Sequence, residues 1–414
     1  MNYQALDIID FVWSTSPKFL LKTRKWNNTD ISLYIQESHK SLENRYIESA
    51  IKALDYLDKH IGSYPYPNLT IVDPPFNGIK SGGMEYPGLI TGFAFLKLPK
   101  NIRSLEAVVI HETIHQYFMG LIASNEFEEA WLDEGFTAYL ETRIMDEIYG
   151  ENKSIINFMG VQIGDLTIQR DAYLHGPNAK AAETFRFSWD FPNNSYAELC
   201  YSKPAIFLTT LERILGRKLM DKILQEYFNK FKFKHPCSQD FIKIAKETSQ
   251  KEGFNNSDFF DSFFNQFLYE STTCDYELCK ITNKEIIGKV GAFDKQTTKV
   301  IKLNSDNGKE IYRSSVVLKR NGELTIPTEV LITFDSGEKM IKLWDGKARY
   351  KEFTFEGNSQ IISAQIDPSN KIMIDSDLNN NSKTTDPKNF GIWKYVAKFL
   401  FWLQNIMQSV AFFA

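Results

Sequence analysis

Apolar residues in the first two-thirds of the chain recur near the helical period, and in the last third they alternate, which predicts a mainly helical region followed by a β-rich one. Ile31, Tyr34, Ile35, Leu42, Ile47, Ile51, Leu54 and Leu57 place an amphipathic helix over about 29–60, with Asn28, Thr29 or Asp30 as its N-cap. NLTIVDPP reads as a short buried strand stopped by Pro74 and Pro75, and KSGGMEYPGLITG as a glycine-rich loop feeding an edge strand. AVVI running into HETIHQYF predicts a helix from Ser104 to Phe118, with Gly120 as the stop, and a second helix follows from about Glu129 to Tyr149. Further helices are expected over Lys203 to Leu215, Lys218 to Phe231 and Asp240 to Thr248.

Beyond Thr272 the segments SSVVLK, EVLITF, KMIKLW, KEFTF and ISAQID alternate. Asn321-Gly322 and Asp335-Ser336-Gly337 read as hairpin turns between them, so a small β-sandwich is expected. Asn379 to Lys388 reads as a polar linker. From Ile392 onward the chain is apolar and aromatic, with Lys394 and Lys398 its only charges and Gln404, Asn405 and Gln408 interrupting it. A membrane span wants about 20 largely apolar residues, so an interfacial or docking helix is expected instead.

Composition narrows the function classes. The chain is 43% hydrophobic and 24% charged, ordinary for a globular protein. With 48 basic against 52 acidic residues its net charge is −4, which offers no basic field for nucleic acid. Cys200, Cys237, Cys274 and Cys279 have neither zinc-site spacing nor the density of a disulfide framework. MNYQALDIIDFVW lacks the charge and apolar run of a secretory signal, so a cytoplasmic or peripherally membrane-associated location is expected.

The chemistry concentrates in HETIH. Positions i and i+4 of a helix share a face, so His111 and His115 can reach one metal ion, with Glu112 beside them as a general base. Eighteen residues separate His115 from Glu134 in WLDEGFTAYLE, and Glu134 supplies a third ligand from a second helix. Three protein ligands leave a coordination position open, the mark of a catalytic rather than a structural zinc. Glu141, two helical turns past Glu134, is a candidate to hold a ligand imidazole through its second nitrogen. His39, His60, His175 and His235 lack such a context and are expected at the surface.

With HETIH, WLDEGF, the upstream GGMEYP and the downstream CYSKPAIFLTTL in this order, the chain resembles the gluzincin aminopeptidases of the alanyl-aminopeptidase and leukotriene-hydrolase type. The resemblance runs from about Asp7 to Phe267 and more loosely beyond. It implies an α+β fold: a thermolysin-like zinc metallopeptidase domain over 21–271, a β-sandwich over 272–377, and a linker with an apolar C-terminal helix over 378–414. Residues 1–20 then read as the remnant of the β-domain that precedes the catalytic domain in that family.

The resemblance further implies one Zn2+ per chain, Glu85 as anchor for a substrate α-amino group, Gly82, Gly83 and Met84 along the strand that pairs with substrate, and Tyr201 as a phenol donor to the oxyanion. Tyr86 stands where the family has asparagine, and Pro204 where it has glycine. The expected activity is hydrolysis of N-terminal residues from peptides with a free N-terminus. An endopeptidase or epoxide-type hydrolase on the same site, or a truncated non-catalytic zinc-binding scaffold, stands as the alternative. The C-terminal helix is expected to meet a membrane interface or an oligomer partner.

Overall fold

The computed structural model describes residues 4–94, 97–177, 182–286, 289–290, 301–302, 310–386 and 390–413. They fold as two units, one of Met1–Thr273 with Lys371–Ser376 and one of Cys274–Asn370 with Asp377–Ala414.

The first unit opens with a sheet in the order β1-β2-β3-β4, formed by β1 (Leu20–Trp26), β2 (Thr29–Ile35), β3 (Asn68–Val72) and β4 (Leu89–Thr91). Strand β1 is antiparallel to β2, whereas β2, β3 and β4 run parallel. The parallel pair β2/β3 is joined across α1 (Glu43–His60), as a parallel connection requires. The helix expected from residue 29 therefore begins only at Glu43. Ile31, Leu33 and Ile35 are all fully buried with a more exposed residue after each of the first two, so a period of two governs this stretch. The spacing of Ile31, Tyr34 and Ile35 matched a helix by coincidence.

Helix α2 (Ser104–His115) lies against α1, clamped by Arg45, which donates to both carboxylate oxygens of Glu106 at 2.6 Å. It ends where Gly120 N–H donates to the His115 carbonyl, and a Cβ at Gly120 would meet the Gln116 carbonyl oxygen at 2.8 Å. The chain then makes the single turn α3 (Glu126–Glu129) and a 3-10 turn before α4 (Glu134–Tyr149), so the second helix starts five residues later than expected, with Glu134 as its first residue. A small hairpin, β5 (Ile156–Phe158) and β6 (Val161–Ile163), leads into α5 (Asp165–His175). The π-helical turn Glu198–Ser202 runs into α6 (Lys203–Leu215), followed by α7 (Arg217–Phe231), α8 (Ser238–Lys251) and α9 (Ser257–Leu268). Helices α5 and α9 form where no helix was expected. The segment Lys371–Ser376 belongs here because Arg170 Nε donates to the Met373 carbonyl at 3.0 Å and Thr210 Oγ1 accepts from Met373 N–H at 3.2 Å.

Behind the start of α4 lies an aromatic cluster. Phe136 stacks on Phe118 at 5.1 Å and on Trp131 at 5.5 Å, and meets Phe241 edge-on at 4.7 Å. Such pairs add about 0.5–1.5 kcal/mol each beyond area burial. Two histidines expected at the surface are partly buried instead: His39 bonds Asp73 at 2.9 Å, and His60 bonds Asp221 at 3.0 Å while stacking on Tyr56.

The second unit is a β-sandwich. One sheet has the order β13-β10-β7, from β7 (Tyr276–Glu285), β10 (Tyr312–Arg320) and β13 (Tyr350–Gly357). The other has the order β12-β11-β14-β15, from β11 (Thr328–Phe334), β12 (Lys339–Trp344), β14 (Ile361–Ile366) and β15 (Ser382–Thr384). A two-residue pair, β8 (Lys289–Val290) with β9 (Ile301–Lys302), stands apart. Asp335-Ser336-Gly337 does close a hairpin, with Gly337 at φ +86. Asn321-Gly322 does not, because β10 and β11 belong to different sheets and Asn321 N–H donates to the Asp275 carbonyl. Part of the expected linker is the exposed edge strand β15, and Pro387 and Lys388 lie outside the described residues. The chain ends in the helix α10 (Phe390–Phe413); among the described residues no helix is long and apolar enough to cross a membrane.

Gly135 decides how closely α4 approaches α6, since a Cβ there would stand 2.5 Å from the Pro204 ring and 3.2 Å from the Cys200 carbonyl oxygen. Alanine is favoured over glycine inside a helix by about 1 kcal/mol, but a proline ring cannot swing aside. Overpacking should win, so Gly135→Ala is expected to destabilise the fold by about 1–3 kcal/mol in urea unfolding. An unchanged or raised midpoint would show that the helix contact is slack.

Candidate metal and peptide site

Helix α2 carries His111, Glu112 and His115 on its inner face, and the imidazoles stand 4.8 Å apart at 74° to one another. The N-terminus of α4 presents Glu134 to both, a position where a helix favours a carboxylate. Glu134 Oε2 lies 3.4 Å from His111 Nε2 and 3.2 Å from His115 Nε2.

The other ring nitrogens are committed elsewhere. His111 Nδ1–H donates to Glu141 Oε2 at 2.8 Å, and His115 Nδ1–H donates to Asp133 Oδ1 at 2.6 Å. With a proton on each Nδ1 the carboxylate behind it accepts, and both Nε2 atoms are turned toward Glu134. His115 is 1% exposed and Asp133 is wholly buried, so solvent does not compete for these bonds.

The donor set fits zinc. A tetrahedral ion with bonds of about 2.0–2.1 Å sets its ligand atoms about 3.3 Å apart, close to the two Nε2–Oε2 separations above. Nitrogen and carboxylate donors suit zinc, and each imidazole has the carboxylate behind it that metal-ligating histidines commonly use. In the chain without metal the same atoms share protons instead. Burial alone would lower the His111 pKa, but hydrogen bonds to Glu134 and Glu141 outweigh it and push it up to about 10. Burial likewise opposes protonation of His115, and Asp133 and Glu134 drive it well above its ordinary value.

Glu112 lies beside the donors, 5% exposed, and among the described residues its Oε2 has no hydrogen-bond partner. Burial, opposed by the charges of His111 and His115, lifts its carboxyl to about 7. The Gly83 backbone passes over it at φ +82, where a Cβ would stand 3.2 Å from Glu112 Oε1. Gly83 N–H donates to the Thr91 carbonyl at 2.9 Å and Thr91 N–H to that of Met84 at 2.9 Å, so this segment adds an antiparallel edge to β4. Gln116, one residue past His115, locks the loop to α2: its amide donates to the Glu85 and Tyr86 carbonyls at 3.2 Å and accepts from Gly88 N–H at 2.8 Å.

A carboxylate oxygen of Glu85 lies within 4.8 Å of donors on Glu112 and His115, and within the same distance of donors on Glu126 and Asp133. Burial first, and then the charges of Glu85 and Glu134, raise the Glu126 pKa. Tyr201, on the π-helical turn before α6, stacks on the His111 ring at 5.9 Å and donates its phenol to Glu134 Oε1. Burial and the Glu134 charge hold that phenol far above its ordinary pKa, so it keeps its proton.

The structure thus brings His111, Glu112, His115, Glu134, Glu141, Glu85, Gly83 and Tyr201 into one site. Asp133, Glu126 and Gln116 were missed. Asp133 could have been read from its place directly before Glu134 in WLDEGF, whereas Glu126 sits on an irregular turn with no periodicity to mark it.

Residues 45–267, more than half of the chain, match the model of the peptidase family M1 domain. The chain belongs to peptidase family M1. Its relatives include a leukotriene A-4 hydrolase homolog of Botryotinia fuckeliana, 30% identical over 195 residues that make up 46% of this chain and 29% of that protein. Leucine aminopeptidase 2 of Emericella nidulans is 30% identical over 191 residues, 43% of this chain and 28% of that protein. This M1 chain therefore spans less than a third of the length of these curated relatives. The crystal structure of Legionella pneumophila aminopeptidase A in complex with aspartic acid shares its fold, with a TM-score of 0.57 at 15% identity over 86% of this chain and 37% of that one.

Because the metal must displace protons from two imidazoles whose pKa values are raised, zinc affinity should climb as pH rises toward those values. With both protons to displace, the apparent constant is expected to increase roughly a hundredfold per pH unit near neutrality, measured by competition with a chromophoric chelator. A flat profile would place the metal elsewhere.

Proposed function

We propose that the chain is a zinc-dependent aminopeptidase that hydrolyses the first peptide bond of peptides with a free N-terminus. The observation that carries this reading is the placement of Glu85 and Glu126 beside the general base and the His-His-Glu donor set. His111, His115 and Glu134 would hold one zinc ion. Bound there, zinc supplies Lewis-acid polarisation to the scissile carbonyl and the attacking water.

The protein's own groups do the rest. Glu112, lifted to about 7 by burial, is poised to take a proton from water near neutrality and deliver it to the leaving amine. Its partnerless Oε2 is the atom available for that transfer. The Tyr201 phenol stays protonated and, on leaving Glu134 Oε1, would donate to the carbonyl oxygen as negative charge develops there.

Glu85 and Glu126 put two carboxylates, both part-exposed, where a substrate α-ammonium would sit, an arrangement that repels itself until a cation arrives. An internal peptide nitrogen carries no such charge, which favours aminopeptidase over endopeptidase cleavage. Gly82, Gly83 and Met84 would line the edge to which substrate backbone adds, a reading supported by the bridge of Met84 to Thr91 and the Gly83 N–H bond to the Thr91 carbonyl. Glu141 and Asp133 keep the imidazoles oriented throughout.

Glu112→Gln is expected to retain zinc while kcat falls about 10²–10⁴-fold. Glu85→Gln and Glu126→Gln should each raise KM for free-amine aminoacyl substrates by about 10–100-fold, the worth of a charge-assisted hydrogen bond, with a smaller change in kcat. Equal cleavage of N-acetylated and free peptides by the unaltered chain would overturn the amine anchor and favour the endopeptidase.

A further inference from the structure

The helix α10 is amphipathic in a manner the peptidase site does not use. At about 100° per residue, Ile392, Val396, Phe399, Leu403, Ile406 and Met407 fall together on one face. They are unburied: Phe399 is 66% exposed, Ile406 57% and Met407 64%. Lys394, Lys398 and Asn405 gather on the opposite face, flanked by Gln404 and Gln408 and interrupted by Ala397 and Phe401. Trp393 and Trp402 occupy the two margins between the faces. The apolar arc covers about half of the helix circumference, wider than the narrow seam of a coiled-coil pair.

We propose that this face docks on an anionic lipid surface, with the helix lying in the plane of the interface. Three observations select that occupant. No acidic residue occurs between Phe390 and Phe413, so the charge of the polar face is wholly positive and complementary to anionic headgroups. A second copy of α10 would bring the same positive charge and no counter-charge. Tryptophan at the border of an apolar and a polar face suits the headgroup boundary, where an amphipathic ring has one side dry and one side wet. Within the described residues the helix is not long and apolar enough to cross a membrane, and its apolar side chains gather on one face instead of all round, as an interfacial helix requires.

The test is vesicle co-sedimentation of the full chain. Phosphatidylcholine vesicles containing phosphatidylglycerol should pellet it, and raised salt should release part of it. Lys394→Glu/Lys398→Glu should lower partitioning roughly tenfold or more, and Phe399→Glu/Leu403→Glu should abolish it. All of these side chains point to solvent, so the variants should unfold at the parent temperature, and circular dichroism of α10-containing protein checks this. Three results would each overturn the proposal. The parent chain could stay in the supernatant with anionic vesicles. The Phe399→Glu/Leu403→Glu protein could bind as the parent does. The parent could sediment as a dimer that ignores vesicles and that the same two substitutions dissociate, which would assign the face to a second copy.

Discussion

The site depends on one convergence: two imidazole Nε2 atoms directed at a single carboxylate oxygen of Glu134 in a buried space. Nothing in the spacing of His111 and His115 alone forces it, because an imidazole can rotate and present either nitrogen. Glu141 and Asp133 remove that freedom by accepting from the Nδ1 atoms, and both acceptors come from the start and second turn of the helix that carries Glu134. A single rigid element thus supplies Glu134 and fixes the orientation of the two imidazoles. Its position is fixed in turn by the Gly135–Pro204 approach and by the aromatic packing around Phe136.

Much of this was legible in the sequence, for a physical reason. HETIH encodes geometry directly, since the helical repeat places its histidines on one face, and WLDEGF announces a second helix bearing the remaining donor. What could not be read are contacts made across irregular chain. Glu126 reaches the site from a single turn, and Gln116 acts by holding a loop whose path no periodicity records. The misreading at Thr29–Ile35 has a similar origin: Ile31, Tyr34 and Ile35 satisfy a helical spacing, while the parallel pairing with Asn68–Val72 that makes the segment a strand is non-local. Asn321-Gly322 failed because a turn signal does not say whether the flanking strands share a sheet.

The electrostatics divide the site by function. The carboxylates behind the imidazoles fix orientation, whereas Glu85 lies close to Glu112 and also to Glu126. Carboxylates held this close in a part-buried space repel one another and attract a cation. On the proposed reading, the His-His-Glu donors would hold the metal and the Glu85 and Glu126 carboxylates would receive the amine, with Glu112 beside both as the base.

The account is tested most directly by metal analysis joined to hydrolysis of an aminoacyl chromogenic substrate by the chain as it stands. It predicts one zinc per chain, activity lost to a chelator, and activity restored by stoichiometric zinc. A chain that holds its zinc through His111, His115 and Glu134 yet hydrolyses nothing would contradict the catalytic reading and leave a metal-binding scaffold in its place.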